Sequence, residues 1–259
     1  MIVRIRHPEK LIYPESDDQP MGENTLQFQW IITLFHGFEN LYFERPDVFV
    51  SSDLFWYPVE GDPTTVLAAD LMIVFGRPKG HRGSYKQWEE GGVAPQVVIE
   101  IQSPSNTTRN SARKRAFYRR YGVQEFYEYD PDTGVFLAWQ RDGRKLVPVP
   151  DPNGMTSPLL GVRFEVSREG ILNVIRPDGR PFLSYREMIM EAERHQEQLL
   201  QERLKAERER LKADQERLKA DQERLKADHE RLKADQERLK AEKLAARLRE
   251  LGIDPESVS

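Results

Sequence analysis

Apolar residues recur along the first two thirds of the chain, at helical spacing in some segments and in dense strand-like runs in others. Residues 23–38 carry apolar side chains at helical spacing and predict a helix. Segments rich in Val, Ile, Phe and Tyr predict strands, namely 47–57 (one or two strands), 66–75, 96–102 and 124–130. Between the last two strands, residues 106–121 predict a second helix. This order predicts a mixed α/β core with a central sheet.

Local signals mark the ends of the second helix and the segments around it. Asn106 or Thr107 is its expected N-cap, and Gly122 follows its last turn. The Gly-rich, basic segment 77–95 has no period and predicts a loop. Pro, Asn and Gly turns separate a predicted hairpin from two short strands, at 134–149, 161–166 and 171–175.

Leucine recurs every seven residues in the last third of the chain. The sequence ERLKA occurs six times, starting at residues 202, 209, 216, 223, 230 and 237. No Gly or Pro lies between Pro181 and Gly252, so one helix can run through the repeat. The spacing places Leu at heptad position d, whereas the a positions are polar. Two interpretations stay open: a left-handed coiled coil, or a single charged helix held by ion pairs between residues three or four apart.

Charge is concentrated in the same part of the chain. About half of residues 184–259 are charged, against about a quarter of residues 1–183, which is ordinary for a globular domain. All four Trp residues lie before residue 184. We therefore predict a globular domain at 1–183, a heptad-repeat helix at 184–251 and a flexible tail at 252–259.

Composition narrows the functional classes. The chain has no Cys, which excludes a disulfide framework, Cys-ligated zinc and a Cys nucleophile. A formal net charge of −4 excludes a histone-like basic protein. No stretch approaches the roughly 18 apolar residues of a membrane span, and the N-terminal residues lack the apolar core of a signal peptide. We expect a cytoplasmic protein without a membrane partner.

Two acidic residues interrupt apolar strand segments. Glu100 shares one face of its predicted strand with Gln102, two residues later. Asp70 lies in the preceding apolar segment without an adjacent charge. A buried carboxylate needs a partner, and two carboxylates on neighbouring strands can share one Mg²⁺ ion, which prefers oxygen ligands. The alternative is that both acids are edge or turn residues bonded to the backbone.

The predicted helix after Glu100 is strongly basic. Residues 101–124 contain no acid and six bases, which are Arg109, Arg113, Lys114, Arg115, Arg119 and Arg120. Helical periodicity places Lys114 on the apolar face and the five arginines on the flanks and back. A Lys aimed at Asp, Glu and Gln is typical of a site that cleaves phosphodiesters, and unbalanced arginines suit DNA phosphates. Alternatively, Lys114 extends to solvent and the arginines form a solvated face.

The segment 76–88 interleaves basic and aromatic residues. Lys79 and Arg82 lie there with Tyr85 and Trp88. Such a mixture suits a loop that contacts DNA, because aromatic rings stack on unpaired bases. A surface loop with one packed Trp explains the segment equally well.

The sequences VVIEIQSPSN (97–106) and RKRAFYRRYGVQEFYEYDP (113–131) together resemble the Uma-two (Uma2) family of restriction endonuclease domains. That family belongs to the PD-(D/E)XK nuclease superfamily. The resemblance covers about residues 20–183, and it rests on Glu100, Ser103-Pro104, Lys114, Tyr118, Gly122-Val123, Glu125-Phe126 and Asp130-Pro131.

The resemblance implies a restriction-endonuclease-like core of order α-β-β-β-α-β. It implies that Asp70 and Glu100 bind the metal, that Lys114 is the catalytic lysine, and that Glu23 is an acid beside the site. Two positions depart from the superfamily pattern. Ala69 precedes Asp70 where Pro is usual, and Gln102 stands where a Lys usually follows the Glu. Because Gln cannot act as a base at neutral pH, catalysis would depend on Lys114.

These expectations define an Mg²⁺-dependent DNA endonuclease, with Mn²⁺ as an alternative ion. The expected DNA contacts are Arg109, Arg113, Arg115, Lys79 and Arg82, and the catalytic set is Asp70, Glu100, Gln102, Lys114 and Glu23. The rival hypothesis is a catalytically inactive nuclease fold that serves as a DNA- or protein-binding scaffold. In either case we expect a homodimer or higher oligomer through the C-terminal helix.

Overall fold

A computed structural model of the 259-residue chain describes residues 12–15, 25–104 and 106–250. The chain divides into two compact units, Met1–Ile189 and Met190–Ser259. The first unit contains the mixed α/β structure, and the second contains most of the C-terminal helix. The predicted tail at 252–259 lies outside the described residues.

The described residues form three α-helices and eleven strands. The helices are α1 (Thr25–Leu41), α2 (Thr108–Tyr121) and α3 (Tyr185–Glu250). The first six strands are β1 (Val48–Ser51), β2 (Leu54–Tyr57), β3 (Leu67–Ala69), β4 (Leu71–Phe75), β5 (Tyr85–Lys86) and β6 (Val97–Ile101). The others are β7 (Glu125–Asp130), β8 (Val135–Asp142), β9 (Lys145–Pro148), β10 (Arg163–Val166) and β11 (Leu172–Ile175).

The central sheet has six strands in the order β1-β4-β6-β7-β8-β9. Strands β6 and β7 run parallel, joined by α2, and all other neighbours in this sheet run antiparallel. Helix α1, strands β1, β4 and β6, helix α2 and strand β7 follow one another in the expected core order. The predicted mixed α/β class and mixed central sheet are therefore confirmed.

The two faces of this sheet pack against different helices. Ile99 and Ile101 of β6 lie in a core with Phe38 of α1. Val98, from the other face of β6, packs with Trp56 of β2 and Tyr118 of α2. Glu100 has the same parity as Val98, so its side chain projects towards α2.

Helix α2 begins and ends as its sequence predicts. The Thr107 side chain accepts a hydrogen bond from the backbone N–H of Asn110 at 3.2 Å, which caps the first turn. Gly122 has φ of 106° and ends the helix in the left-handed conformation, which favours Gly. These caps fix where Lys114 and Tyr118 lie along the helix.

Two local predictions were wrong. The segment 66–75 is not one strand, because the chain leaves one sheet and enters another at Asp70: β3 pairs with β2, whereas β4 pairs with β1 and β6. The segment 77–95 is not entirely loop, because Tyr85–Lys86 pairs with Trp56–Tyr57 in parallel. Both features depend on pairing between distant segments, which local periodicity does not report.

Helix α3 is continuous over 66 residues, as its lack of Gly and Pro predicts. Its six repeat leucines are each 41–69% exposed: Leu204, Leu211, Leu218, Leu225, Leu232 and Leu239. Within the described residues, none of the helices offers a continuous apolar stretch of the length that a bilayer demands.

We predict that a chain of residues 1–189 unfolds at the same temperature as the first unit of the full chain. Every buried hydrophobic residue of the described part lies between Ile31 and Val174, so the truncation removes no buried hydrophobic residue. Near-ultraviolet circular dichroism during heating checks this prediction. A midpoint lowered by more than about 5 °C, or roughly 1–2 kcal/mol in a domain of this size, would contradict it.

Candidate active site

Glu100 lies at the centre of the sheet and is fully buried. Both donors to its carboxylate come from α2. Lys114 Nζ donates to Oε2 at 2.5 Å, and the hydroxyl of Tyr118 donates to Oε1. Lys114 and Tyr118 are four residues apart and therefore project from the same face of the helix. The structure thus places the predicted lysine directly on the predicted glutamate.

Asp70 lies beside Glu100 on the neighbouring chain segment. The register pairs Leu71 of β4 with Ile99 of β6, which brings Asp70 next to Glu100. One Asp70 oxygen, Oδ2, accepts the backbone N–H of Ile101 at 2.7 Å. The same residue thus ties the crossover from β3 to β4 to the neighbouring strand and supplies a second carboxylate.

The charges around Glu100 do not balance. Burial, together with the negative charge of Asp70, raises the pKa of Glu100 from 4.5 to about 8, although Lys114 and Tyr118 counteract this shift. Burial alone would lower the pKa of Lys114, but the charges of Glu100 and Asp70 outweigh it and hold that pKa above its ordinary value. Lys114 therefore stays an ammonium, and Glu100 holds a proton at neutral pH until further positive charge reaches the site.

Lys114 also reaches solvent, since its side chain is 26% exposed. It lines a pocket of about 230 Å³ with Leu67, Asn106, Asn110, Ser111 and Arg113. The ammonium is therefore accessible from outside while it contacts a fully buried carboxylate. A ligand in this pocket would meet Lys114 before it met Glu100.

Gln102 occupies the position at which the superfamily pattern expects Lys. Its Oε1 accepts hydrogen bonds from Asn106 Nδ2 at 3.0 Å and from Ser111 Oγ at 3.2 Å. These two donors orient the amide. Its remaining hydrogen-bonding group is the NH₂, which can donate but cannot take up a proton.

Glu128 is a third acid on this face, and sequence reasoning missed it. In the parallel pairing of β6 and β7, Glu128 lies opposite Glu100. Its side chain is buried, and Oε2 lies 3.8 Å from Arg115. Oε1 has no hydrogen-bond partner within the part of the chain that the structure describes. Burial raises the pKa of Glu128, and Arg115 and Lys114 counteract this effect.

A pocket of about 330 Å³ opens over Glu128. Gln102 and Arg115 line it together with polar side chains from the α2 start and the β7–β8 turn, which are Ser103, Asn106, Thr108, Ser111, Asp130 and Thr133. A signal for Glu128 was present in the sequence. It lies between Tyr127 and Tyr129 in the predicted strand 124–130, although that segment also carries Glu125 and Asp130 and so gives a weaker signal than Glu100 in 96–102.

Glu125 provides a contrast on the opposite face of β7. Its carboxylate accepts hydrogen bonds from Tyr127 Oη at 2.8 Å, from the backbone N–H of Leu159 at 3.0 Å and from the hydroxyl of Ser157. Both carboxylate oxygens of this buried acid therefore accept hydrogen bonds from within the fold. Glu125 therefore stabilises the fold and is not a candidate for chemistry.

The predicted DNA-contacting residues fall into two groups. Arg109 and Arg113 are exposed on α2. The other three face acids, since Arg115 lies 3.8 Å from Glu128 and above the ring of Trp139, Lys79 lies 3.4 Å from Glu39, and Arg82 lies 2.5 Å from Glu90. The guanidinium of Arg82 also covers the ring of Phe49 at 4.0 Å, which ties this residue to the core.

A larger basic groove of about 820 Å³ follows the C-terminal half of α2. Five arginines line it: Arg113, Arg119, Arg120, Arg141 and Arg144. Arg141 donates to backbone carbonyls at the end of α2, including that of Arg119 at 2.8 Å. The other four make no ion pair with any described residue. Arg144 lies in the β8–β9 turn, so the sequence did not associate it with the helix.

The residues present fit one hard cation better than a larger metal cluster. Across the described ranges, no group of three His, Cys, Asp or Glu side chains is arranged to hold a metal. Asp70 and Glu100 nevertheless offer adjacent oxygen donors, and mutual repulsion helps to raise the pKa of Glu100. A divalent cation between them would offset that repulsion. Glu23, the other predicted acid, lies outside the described residues.

Comparisons with known proteins point to one family. The family model Uma2, described as "Putative restriction endonuclease", matches residues 17–173, which is more than half of the chain. A second model, "FAZ1, C-terminal", matches residues 205–239 within the leucine repeat. No protein of curated function matches the sequence.

Several solved structures are similar to this chain. Among them is a "putative nuclease belonging to DUF820 from Anabaena variabilis ATCC 29413". The two sequences are 12% identical, the TM-score is 0.40, and the match covers 52% of this chain and 73% of that chain.

We predict that Glu100→Gln removes a pH-dependent loss of stability. The folded protein binds a proton at Glu100 up to about pH 8, whereas the unfolded chain releases it near pH 4.5. The contribution of this proton to the free energy of unfolding is therefore complete below pH 4.5 and is lost as the pH rises through 8. Between pH 5 and pH 8.5, the free energy of unfolding of the variant should therefore rise relative to that of the wild type, by an amount on the order of a few kcal/mol.

Urea unfolding at several pH values measures this difference, and Glu60→Gln serves as an exposed control. The amide that replaces the Glu100 carboxylate can donate to neighbouring groups and accept from Lys114, so packing is retained. Parallel pH profiles for Glu100→Gln and the wild type would show that Glu100 titrates normally.

Proposed function

The chain belongs to the Uma2 family, and we propose that it is a metal-dependent endonuclease that hydrolyses phosphodiester bonds in DNA. The observation that carries this proposal is the fully buried Glu100, which lies next to Asp70 and bears the Lys114 ammonium at 2.5 Å. A structural ion pair would not need a second carboxylate beside it. A site for a cation and a phosphate needs two carboxylates to hold the cation and an ammonium to bind the phosphate.

Asp70 and Glu100 would hold the cation, with Mg²⁺ as the first candidate and Mn²⁺ as the second. Once bound, such an ion supplies Lewis acidity at a phosphate oxygen and lowers the pKa of a water ligand. The acids come from neighbouring chain segments whose spacing the sheet fixes. Backbone hydrogen bonding keeps Asp70 in place before any ion arrives.

Lys114 would stabilise negative charge on the phosphate. Its raised pKa keeps it an ammonium, so it acts as a donor and a point charge and does not remove protons. Gln102 can donate from its NH₂ to the same phosphate or to the attacking water. Neither group is a base, so the water needs another proton acceptor.

Glu128 is the candidate acceptor. It lies opposite Glu100 in the sheet, and its Oε1 has no partner among the described residues. Its raised pKa makes it a better base near neutral pH than an ordinary carboxylate. In the proposed step, the water oxygen bonds to phosphorus, its proton passes to Glu128, and the bond to the 3′ oxygen breaks while that oxygen takes up a proton from solvent water. The products are a 5′-phosphate and a 3′-hydroxyl.

DNA would approach along α2. The groove of Arg113, Arg119, Arg120 and Arg144 carries unbalanced positive charge, which suits the phosphate backbone. Arg113 lines both this groove and the pocket of Lys114. The two cavities are therefore neighbours that share Arg113, and the groove would lead DNA towards the proposed site.

The scaffold hypothesis keeps one specific observation in its favour. Gln102 replaces the usual Lys, and Asn106 and Ser111 hold its oxygen in the structure. A nuclease fold that had lost cleavage could still bind DNA through the arginine groove. Metal-independent DNA binding without cleavage would identify this function.

We predict that the purified chain nicks supercoiled plasmid in Mg²⁺ or Mn²⁺. Asp70→Asn, Glu100→Gln and Lys114→Met should each lower the rate about 10²–10⁴-fold, because each removes charge that the reaction requires. Glu128→Gln should lower the rate comparably while Mg²⁺ dependence stays unchanged, since Glu128 is not a proposed ligand. Agarose gels that resolve nicked and linear forms give the rates.

Two controls accompany this assay. Glu125→Gln alters a buried acid on the opposite face of the sheet, and Lys145→Met alters an exposed lysine on β9. If Lys145→Met matches the wild type while the site variants do not, the activity belongs to this site. Cleavage that survives all four site variants would point to a contaminant, and no cleavage of any DNA would favour the scaffold.

We predict that Arg119→Ala, Arg120→Ala and Arg144→Ala each weaken DNA binding and lower the salt slope. Each arginine that contacts a phosphate releases about one counterion, so the slope of log K against log salt should fall by about 1 per substitution. Fluorescence anisotropy in EDTA measures binding without cleavage. Arg163→Ala, whose guanidinium pairs with Glu165 on β10, is the control. Unchanged slopes in all three groove variants would refute the proposed DNA path.

A further inference from the structure

Helix α3 exposes a continuous leucine stripe that nothing in the described part of the second unit covers. The six repeat leucines are each 41–69% exposed along one unbroken helix. Seven residues fall about 20° short of two full turns, so in a straight helix this stripe would drift around the surface. A left-handed supercoil keeps the stripe on one seam, where a second helix can cover it.

The residues that flank the stripe have a strict charge order. With Leu at position d, every e position in the repeat is Lys: Lys205, Lys212, Lys219, Lys226, Lys233 and Lys240. Every g position is acidic: Glu207, Asp214, Asp221, Asp228, Asp235 and Glu242. Each edge of the leucine seam therefore carries charge of a single sign.

This order distinguishes the two possible orientations of a helix pair. In a parallel pair, each g residue faces the e residue of the next heptad on the other helix, so Asp214 faces Lys219 of the second copy. In an antiparallel pair, e faces e and g faces g. Lys would then face Lys and Asp would face Asp along the whole seam, and these like charges oppose that arrangement.

Three of the six a positions are Gln and are compatible with a parallel, in-register pair, whereas Arg208 and Lys243, at the two ends of the seam, would each meet a like charge. The six a residues are Arg208, Gln215, Gln222, His229, Gln236 and Lys243. In register, each of these residues meets its own copy, and Gln can both donate and accept a hydrogen bond across the seam. Polar residues at a reduce stability. Register is set instead by the length of the repeat, because a pair shifted by one heptad would keep only five of the six leucine layers.

We propose that residues 201–243 form a parallel, in-register, two-stranded coiled coil with a second copy of this chain. The proposal depends on the repeat alone and not on the nuclease. Its consequence for the first unit follows from chain order. Because that unit precedes the helix in both copies, a parallel pair joins two copies at the same end, and two sites could act on opposite strands of one duplex.

The absence of native Cys allows a direct test on the full chain. Gln215→Cys and Gln236→Cys each introduce one thiol at an a position, near the start and near the end of the repeat. In a parallel, in-register pair both positions lie next to their own copies, within the roughly 4.4–6.8 Å Cα separation of a disulfide. Both variants should therefore form disulfide-linked dimers as the main product of mild oxidation.

An antiparallel pair of any single register can bring at most one of these two positions next to itself. Linkage of only one variant, or of neither, would overturn the proposal. Ala213→Cys and Ala234→Cys are matched controls, because position f lies on the helix face away from the seam. Equal linkage at the f positions would show random collision and would also count against the proposal.

A second measurement uses the charges. Light scattering should give twice the 30.3 kDa chain mass for the wild type. A chain with all six e lysines changed to Glu should give one chain mass, and a mixture with a chain whose six g acids are changed to Lys should restore the pair. A wild-type mass of one chain, or a mixture that stays monomeric, would refute pairing through these edges.

Discussion

The buried carboxylate of Glu100 constrains the arrangement of the site more than any other group. A carboxylate removed from water costs several kcal/mol unless donors and opposite charge replace its hydration. Both donors come from one face of α2, through Lys114 and Tyr118, whereas the acid comes from the central strand β6. Their pairing fixes the rotation of α2 against the sheet. It turns Lys114 inward and leaves Arg113, one residue earlier, on the surface beside the basic groove.

Three acids follow one another across three adjacent chain segments on this face, and their surroundings differ. Asp70 is held by a backbone N–H, Glu100 by two side-chain donors, and Glu128 by an ion pair with Arg115 at 3.8 Å. On the opposite face, Glu125 has every hydrogen-bonding partner that it needs. The fold satisfies both oxygens of Glu125 with hydrogen bonds, but it sets Asp70 beside Glu100 and leaves Glu128 Oε1 without a partner among the described residues, which suits a site for a cation and a substrate. The nuclease proposal rests on this difference.

The sequence predicted those parts of the structure that depend on local pattern. Periodicity predicted α2 and its inward lysine, and caps at Thr107 and Gly122 marked its ends. Features set by distant segments were not predictable in this way. The change of sheets at Asp70, the short strand at Tyr85 and the pairing of Glu128 with Glu100 all require the register between strands. The ion pairs of Lys79 and Arg82 likewise depend on acids that only the fold brings near.

The central claim is that Asp70 and Glu100 together form the cation site of a nuclease. Calorimetric titration of the full chain with Mn²⁺ tests this claim most directly, because it requires no knowledge of the DNA that is cut. We expect one Mn²⁺ ion per wild-type chain, and we expect Asp70→Asn and Glu100→Gln each to abolish that binding while Glu125→Gln retains it. A wild-type chain that binds no ion, or variants that bind as the wild type does, would contradict the account.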